Sequence, residues 1–293
     1  MGFIEYYILN FPQSWQINLG TTVDDAVRNF SRANQAELRA VRNVVIYVIS
    51  SIHNALQATP WIVLVILVGA LAWYLSRKWY NGVIFGVMLS FVGFCGLWAE
   101  MLQTISIVIA SVLFCIVFGF PMGVLLAMSK RVNNIIRPVL DTMQTMPSWV
   151  YLVPAVMLFS VGMTPALIAT TIYAIVPLIR LTSHGLIYVD KEMLEAAYAF
   201  GSTRLQALVK VQIPQALPTI MTGVNQTIMM AMAMVVTSAL IGANGLGMEI
   251  LIATNRVEMG RALLPGISIV IVAIILDRLT QYAIKRNSGR KNA

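Results

Sequence analysis

The chain has 293 residues, 58% hydrophobic and only 11% charged, with a mean hydropathy of +0.78, where soluble globular chains carry about 25% charged residues. That composition excludes an ordinary soluble domain. The formal charge of +8 then reports membrane topology and contact with anionic lipid, not a nucleic-acid footprint.

Residues 1–60 hold Asp24, Asp25 and Glu37 among Arg28, Arg32, Arg39 and Arg42, with no cleavable apolar stretch, so no signal peptide is expected. Val23, Val27, Phe30, Leu38, Val41, Val45, Val48, Ile52 and Leu56 recur at helical spacing. They predict an amphipathic helix that either lies on the outer leaflet or braces a bundle. Seven spans follow, at about 61–75, 81–99, 104–128, 146–161, 165–183, 218–241 and 263–284. Residues 142–179 and 211–248 are runs of 38 residues without Asp, Glu, Lys or Arg. A span needs about 20 apolar residues, so each run has room for a helix and more. The first run breaks at Gly162-Met163-Thr164-Pro165. Residues 185–217 carry Asp190, Lys191, Glu192, Glu195, Arg204 and Lys210, and are expected to form helices outside the lipid. The end, 285–293, reads as a solvated basic tail.

If the 185–217 loop is cytoplasmic, 14 of the 20 Lys and Arg residues and five of the 12 carboxylates lie on the inner side. The positive-inside rule therefore puts the N-terminus outside and the C-terminus inside. Arg180 is placed to snorkel to the inner interface. Asp277 and Arg278 lie deepest, and a structural polar contact is the favoured reading there over a proton relay.

Several chemistries are missing. The chain holds no Gly-x-x-x-x-Gly-Lys-Ser/Thr phosphate loop, and His53 and His184 stand without partners at metal-ligand spacing. Cys95 and Cys115 fall in apolar segments and read as buried thiols. Gly242, Gly245 and Gly247 do not fit a dinucleotide fingerprint and read as a break or tight turn at the outer end of a helix. No enzymatic activity is expected.

Glu195-Ala196-Ala197, three residues, Gly201, nine residues, then Val211-Gln212-Ile213-Pro214 resembles the Glu-Ala-Ala loop of permease subunits in binding-protein-dependent ABC importers. The family pattern ends Ile-x-Leu-Pro, so Val211 and Ile213 are conservative departures. In that family the loop forms a short helix pair docked on the ATPase subunit, which implies an ATPase-coupling role for Glu195, Ala196, Ala197, Gly201 and Pro214. Ala196 and Ala197 permit close packing, and Gly201 permits a left-handed turn. The stretches 143–154, 223–227 and 275–281 look like permeases for glycine betaine, proline betaine and choline, and the likeness runs from about residue 60 to 284.

The resemblance implies an all-α integral membrane protein with about seven transmembrane helices, an ABC importer permease core and an N-terminal amphipathic helix. Residues 1–60 form the extracytoplasmic region, 61–284 the permease domain with its coupling loop at 185–217, and 285–293 a cytoplasmic tail, in a bacterial plasma membrane. Two copies with two ATPase subunits, a separate extracytoplasmic binding protein and membrane lipid are the implied partners, and nucleic acid is not. The chain needs no cofactor, since ATP and Mg belong to the ATPase. Quaternary ammonium solutes bind aromatic faces, which makes Trp149, Tyr151 and Tyr173 candidates for the translocation path, although packing is the commoner role of each. Asn225, Gln226 and Thr227 form a neutral polar patch for either the path or interhelical hydrogen bonds. Met229, Met230, Met232 and Met234 read as core filling or as a soft path wall. The rival readings are an importer of another small solute, such as an amino acid, and an ion-coupled secondary transporter.

Overall fold

The computed structural model describes residues 19–289, which are helices and turns with no strand among them. Residues 1–18 and 290–293 lie outside the described residues, as do the parts of the expected N-terminal region and basic tail that fall there.

The N-terminal stripe is carried by two helices, α1 (Leu19–Ala33) and α2 (Gln35–Ala58). Only Val45 and Ile49 are buried, and they pack on Ile107, Ala110, Ala166 and Leu167. Val48, Ile52 and Leu56 are half-buried against the bundle, whereas Val23, Phe30 and Val41 are exposed. Pro60 stops α2, because a proline forces the residue before it out of helical geometry, and Thr59 is extended at φ −82°, ψ 122°. Helix α3 (Trp61–Ser76) then leaves at 99° to α2. Arg77, at φ 57°, closes α3 and turns the chain into α4 (Trp79–Phe94). The two pack as an antiparallel hairpin at Gly69 and Gly82, where a methyl on Gly82 would come within 2.6 Å of the Gly69 carbonyl oxygen.

Four helical runs are long and apolar enough to cross a bilayer: α5 (Trp98–Met128), α8 (Met163–Ile187), the run Arg204–Ile241 and α13 (Met259–Gly289). Helix α8 is the centre of the bundle, with 67% of its most apolar window buried against 28% for α13. Small residues let the neighbours reach it. A methyl on Gly123 of α5 would lie 2.6 Å from Thr182 Cβ and 2.8 Å from the Ile179 carbonyl oxygen, so α5 and α8 cross with their backbones nearly touching.

The remaining elements correct the sequence reading. The residues between the spans expected at 104–128 and 146–161 form helix α6 (Lys130–Thr145), capped by Ser129, whose hydroxyl accepts from the Val132 amide. Val132, Ile135, Ile136, Val139, Leu140 and Met143 recur at helical spacing, so this helix was legible in the sequence behind its charges. The span expected at 146–161 is the 11-residue helix α7 (Trp149–Phe159). Together α6 and α7 run antiparallel to α8, with Leu140 packing near Val176 and Ile179, and Leu152 and Ala155 near Ala169. They form one path past α8 that is broken at Met146-Pro147-Ser148. Helix α4 has 16 residues, shorter than the 81–99 expected, because Cys95 and the left-handed Gly96 end it. A further helix, α12 (Leu246–Asn255), follows the glycine cluster.

The contacts sort the loops onto two ends. Arg286 stacks on the Tyr74 ring at 3.8 Å and donates to the Tyr74 carbonyl, which puts the end of α13 beside the end of α3. At the opposite end the Gly162 amide donates to the Ile241 carbonyl (2.8 Å), and the Leu246 amide donates to Thr104 Oγ1 (2.9 Å).

Candidate functional site: the segment after α8 and the polar face beside it

Between α8 and the next long helix the chain leaves the bundle. Asp190 caps helix α9 (Lys191–Ala199), its carboxylate accepting from the Glu192 amide at 2.9 Å. No residue of α9 is buried. Glu195 and Ala196 are exposed, Ala197 is half-buried, and Met193, Tyr198 and Phe200 stand open to the surroundings, Phe200 at 91%. Such a nine-residue helix with an unburied apolar face has little intrinsic stability. Its end explains why it holds. The Ser202 amide donates to the Ala197 carbonyl at 3.0 Å and the Gly201 amide to the Tyr198 carbonyl at 2.9 Å, with Gly201 at φ +80°. This is a Schellman closure, which requires a left-handed residue where Gly201 stands.

Thr203 and Gln206 then form a capping box: the Thr203 amide donates to Gln206 Oε1 at 2.8 Å and the Gln206 amide to Thr203 Oγ1 at 3.3 Å. The short α10 (Arg204–Ala207) passes through a π turn at Leu208–Gln212 into α11 (Ile213–Ser238). Pro214 has no amide hydrogen to give, and the widened turn before it accommodates that loss without ending the helix. The expected span at 218–241 is therefore the upper part of one helical run from Arg204 to Ile241. The Thr203-Arg204-Leu205-Gln206 box was the readable signal for where that run begins.

The path candidates are only partly brought together. Tyr151 and Tyr173 meet, ring centroids 6.3 Å apart at 56°, and the Tyr151 hydroxyl donates to the Met143 carbonyl at 2.6 Å across the α6–α7 break. Trp149 is apart from them and 59% exposed. Asn225, Gln226 and Thr227 do not form one patch, since successive helix residues point about 100° apart. Asn225 Nδ2 donates to Asp277 Oδ1 at 2.8 Å, where Gln281 Nε2 also donates at 2.9 Å. Thr227 is fully buried, with no partner for its hydroxyl, and Gln226 is exposed. Asp277 thus makes the structural polar contact favoured from the sequence. Met232 and Met234 are buried in the core, whereas Met229 is exposed.

Beside the start of the loop lies a polar face. Arg180 of α8 is paired with Asp141 of α6. An open groove of about 460 Å³ runs between the two helices, lined by Asn133, Arg137, Arg180, Ser183, His184 and Tyr188 among others.

Residues 116–289 match the family described as binding-protein-dependent transport system inner membrane component. The chain is 45% identical over 254 residues to the glycine betaine/proline betaine transport system permease protein ProW of Escherichia coli (strain K12), covering 87% of this chain and 72% of that one. It is 44% identical over 252 residues to the glycine betaine/carnitine transport permease protein GbuB of Listeria monocytogenes serotype 1/2a (strain 10403S), covering 83% and 89%. Its fold is similar to that of a chain in an inward-facing crystal structure of the MetNI methionine ABC transporter, with a TM-score of 0.55 at 23% identity over 65% of this chain and 93% of that one. A bundle of long apolar helices, an exposed loop closed by a left-handed glycine between two of them, and a family match across more than half the chain lead to one conclusion: this protein belongs to the inner membrane components of binding-protein-dependent transport systems.

Proposed function

We propose that this chain is the permease subunit of an ATP-driven importer for glycine betaine or a related quaternary ammonium or proline-type osmoprotectant, delivered by a substrate-binding protein. The observation that carries this is the 44–45% identity, over more than four-fifths of the chain, to two permeases whose names specify such solutes. Two copies of residues 61–284 enclose the path, with residues 1–60 extracytoplasmic and 285–293 a cytoplasmic tail. ATP and Mg act on two copies of a partner ATPase. That partner engages the 185–217 loop through Glu195, Ala196, Ala197 and the exposed side chains around Gly201, and Pro214 seats the loop on α11. The helical run from Arg204 to Ile241 supports this reading, because a displacement of the loop reaches the opposite end of the bundle along one run interrupted near the loop by the π turn at Leu208–Gln212. Neutral contacts carry the solute past Tyr151 and Tyr173, with Trp149 and Gln226 on open faces. The test is uptake of labelled glycine betaine by proteoliposomes containing permease, ATPase and binding protein. ATP-dependent uptake is expected, and uptake of an amino acid in place of betaine would refute the solute assignment.

A further inference from the structure

Helix α6 has three faces. Val132, Ile136, Leu140 and Met143 pack inward, Ile135 and Val139 form an exposed apolar flank, and Lys130, Asn133, Arg137, Asp141 and Gln144 share the opposite, polar flank at about 100° per residue. A flank carrying three charges cannot face acyl chains without a large penalty, so it borders water or a polar ligand. It lies on the inner half of the broken α6–α7 path, and discontinuous helices are where transporters place solute contacts. Arg180 sits seven residues before the end of α8, roughly 10 Å along its axis.

We infer that the groove between α6 and α8 is a subsite for a carboxylate-bearing quaternary ammonium solute on the release side of the path, an assignment that rests on the function proposed above. Two guanidinium groups, Arg137 and Arg180, face this groove, and the one carboxylate beside them, Asp141, is held by Arg180. Among the described residues Arg137 makes no ion pair. Arg180 Nε is buried without a hydrogen-bond partner. The groove therefore has a surplus of positive charge and spare donors, with Asn133 and Ser183 adding neutral ones, which suits a carboxylate. The groove is also lined by His184 and Tyr188, whose rings lie 4.4 Å apart at a tilt of 31°, and an exposed phenol face attracts a methylated ammonium. The groove thus offers a positive lining for the carboxylate and ring faces for the ammonium of a zwitterion such as glycine betaine or carnitine. Choline, which has the ammonium but no carboxylate, meets only the rings. The volume of about 460 Å³ and the open side keep binding weak, as a release site requires.

The test uses the permease–ATPase complex in phosphatidylethanolamine nanodiscs without binding protein, read by saturation-transfer NMR on the N-methyl protons of glycine betaine and of choline. Glycine betaine is expected to bind the wild type, with choline at least about fivefold weaker, as for loss of one charge-assisted contact. Arg137→Gln should weaken betaine about five- to tenfold, while Arg137→Lys restores most of it. Lys130→Gln removes the same charge outside the groove and should change nothing. Elution volume and basal ATPase activity confirm that each variant is folded. Equal binding by Arg137→Gln and wild type, equal loss in Lys130→Gln, or choline binding as tightly as betaine would each overturn the assignment. So would displacement of betaine by phosphatidylglycerol but not by carnitine, which would give the groove to a lipid phosphate. Wild-type proteoliposomes separate the two claims: no betaine uptake removes the proposed function itself, whereas uptake with no groove-dependent binding removes only the subsite.

Discussion

Replacing Gly201 by valine perturbs the loop at its one backbone-critical position. A methyl there meets no atom within 4 Å, so the substitution causes no clash, and the whole effect is conformational. Holding a non-glycine residue at φ +80° costs roughly 1–2 kcal/mol, and a β-branched residue lies at the upper end. Relaxing out of that conformation instead breaks the Ser202-to-Ala197 and Gly201-to-Tyr198 hydrogen bonds that close α9. Because no residue of α9 is fully buried, little core contact compensates, and the helix frays. If the ordered loop is what the ATPase binds, 1–2 kcal/mol weakens the complex roughly 5- to 30-fold. The bundle should be untouched, so the melting temperature of the isolated permease in detergent should match wild type. Gly201→Asn is the control, since asparagine tolerates left-handed backbone and should retain most of the affinity. The assay is pull-down of the ATPase by tagged permease, with binding-protein-stimulated ATPase activity alongside. Wild-type affinity and coupling in Gly201→Val would refute the reasoning, as would an equal loss in Gly201→Asn.

Single cysteines at Gln35 and Asn244, in a background lacking Cys95 and Cys115, should react with an impermeant thiol reagent from outside intact cells, while Ile135 and Leu205 positions should not; outside labelling at 205 would invert the proposed orientation. Trp149→Ala, Tyr151→Ala and Tyr173→Ala should each slow betaine uptake about fivefold or less without changing the ranking of betaine over choline in vesicles with the binding protein unchanged. An inverted ranking in any of the three would place a specificity site among these aromatics. Asp277→Ala leaves the Asn225 and Gln281 amides without their acceptor and should destabilise the bundle by about 1–3 kcal/mol, seen as a lowered unfolding temperature, while Asp277→Asn, which keeps an acceptor oxygen, should lose less.

By itself the sequence determined the features that depend on composition and local backbone chemistry. Uncharged runs of 38 residues pointed to membrane helices, the charges of 185–217 marked the exposed segment, and the resemblance around Glu195, Gly201 and Pro214 identified it, although Pro214 lies inside a helical run that begins at Arg204. The left-handed turn at Gly201 was legible because glycine takes that conformation without strain. Hydropathy could not show where helices break inside an apolar run, so α7, α12 and the continuous helix from Arg204 to Ile241 came only with the structure. Helix α6 was legible despite its charges, since Val132, Ile135, Ile136, Val139, Leu140 and Met143 keep helical spacing, but which of its flanks meets α8 only the structure shows. The partners of the polar residues were equally out of reach, since Asn225 meets Asp277 across 52 positions and Arg180 meets Asp141 across 39. Only the tertiary structure decides such pairs, because which side chains face one another depends on how helices cross, and crossings such as that at Gly123 are set by surfaces far apart in the chain.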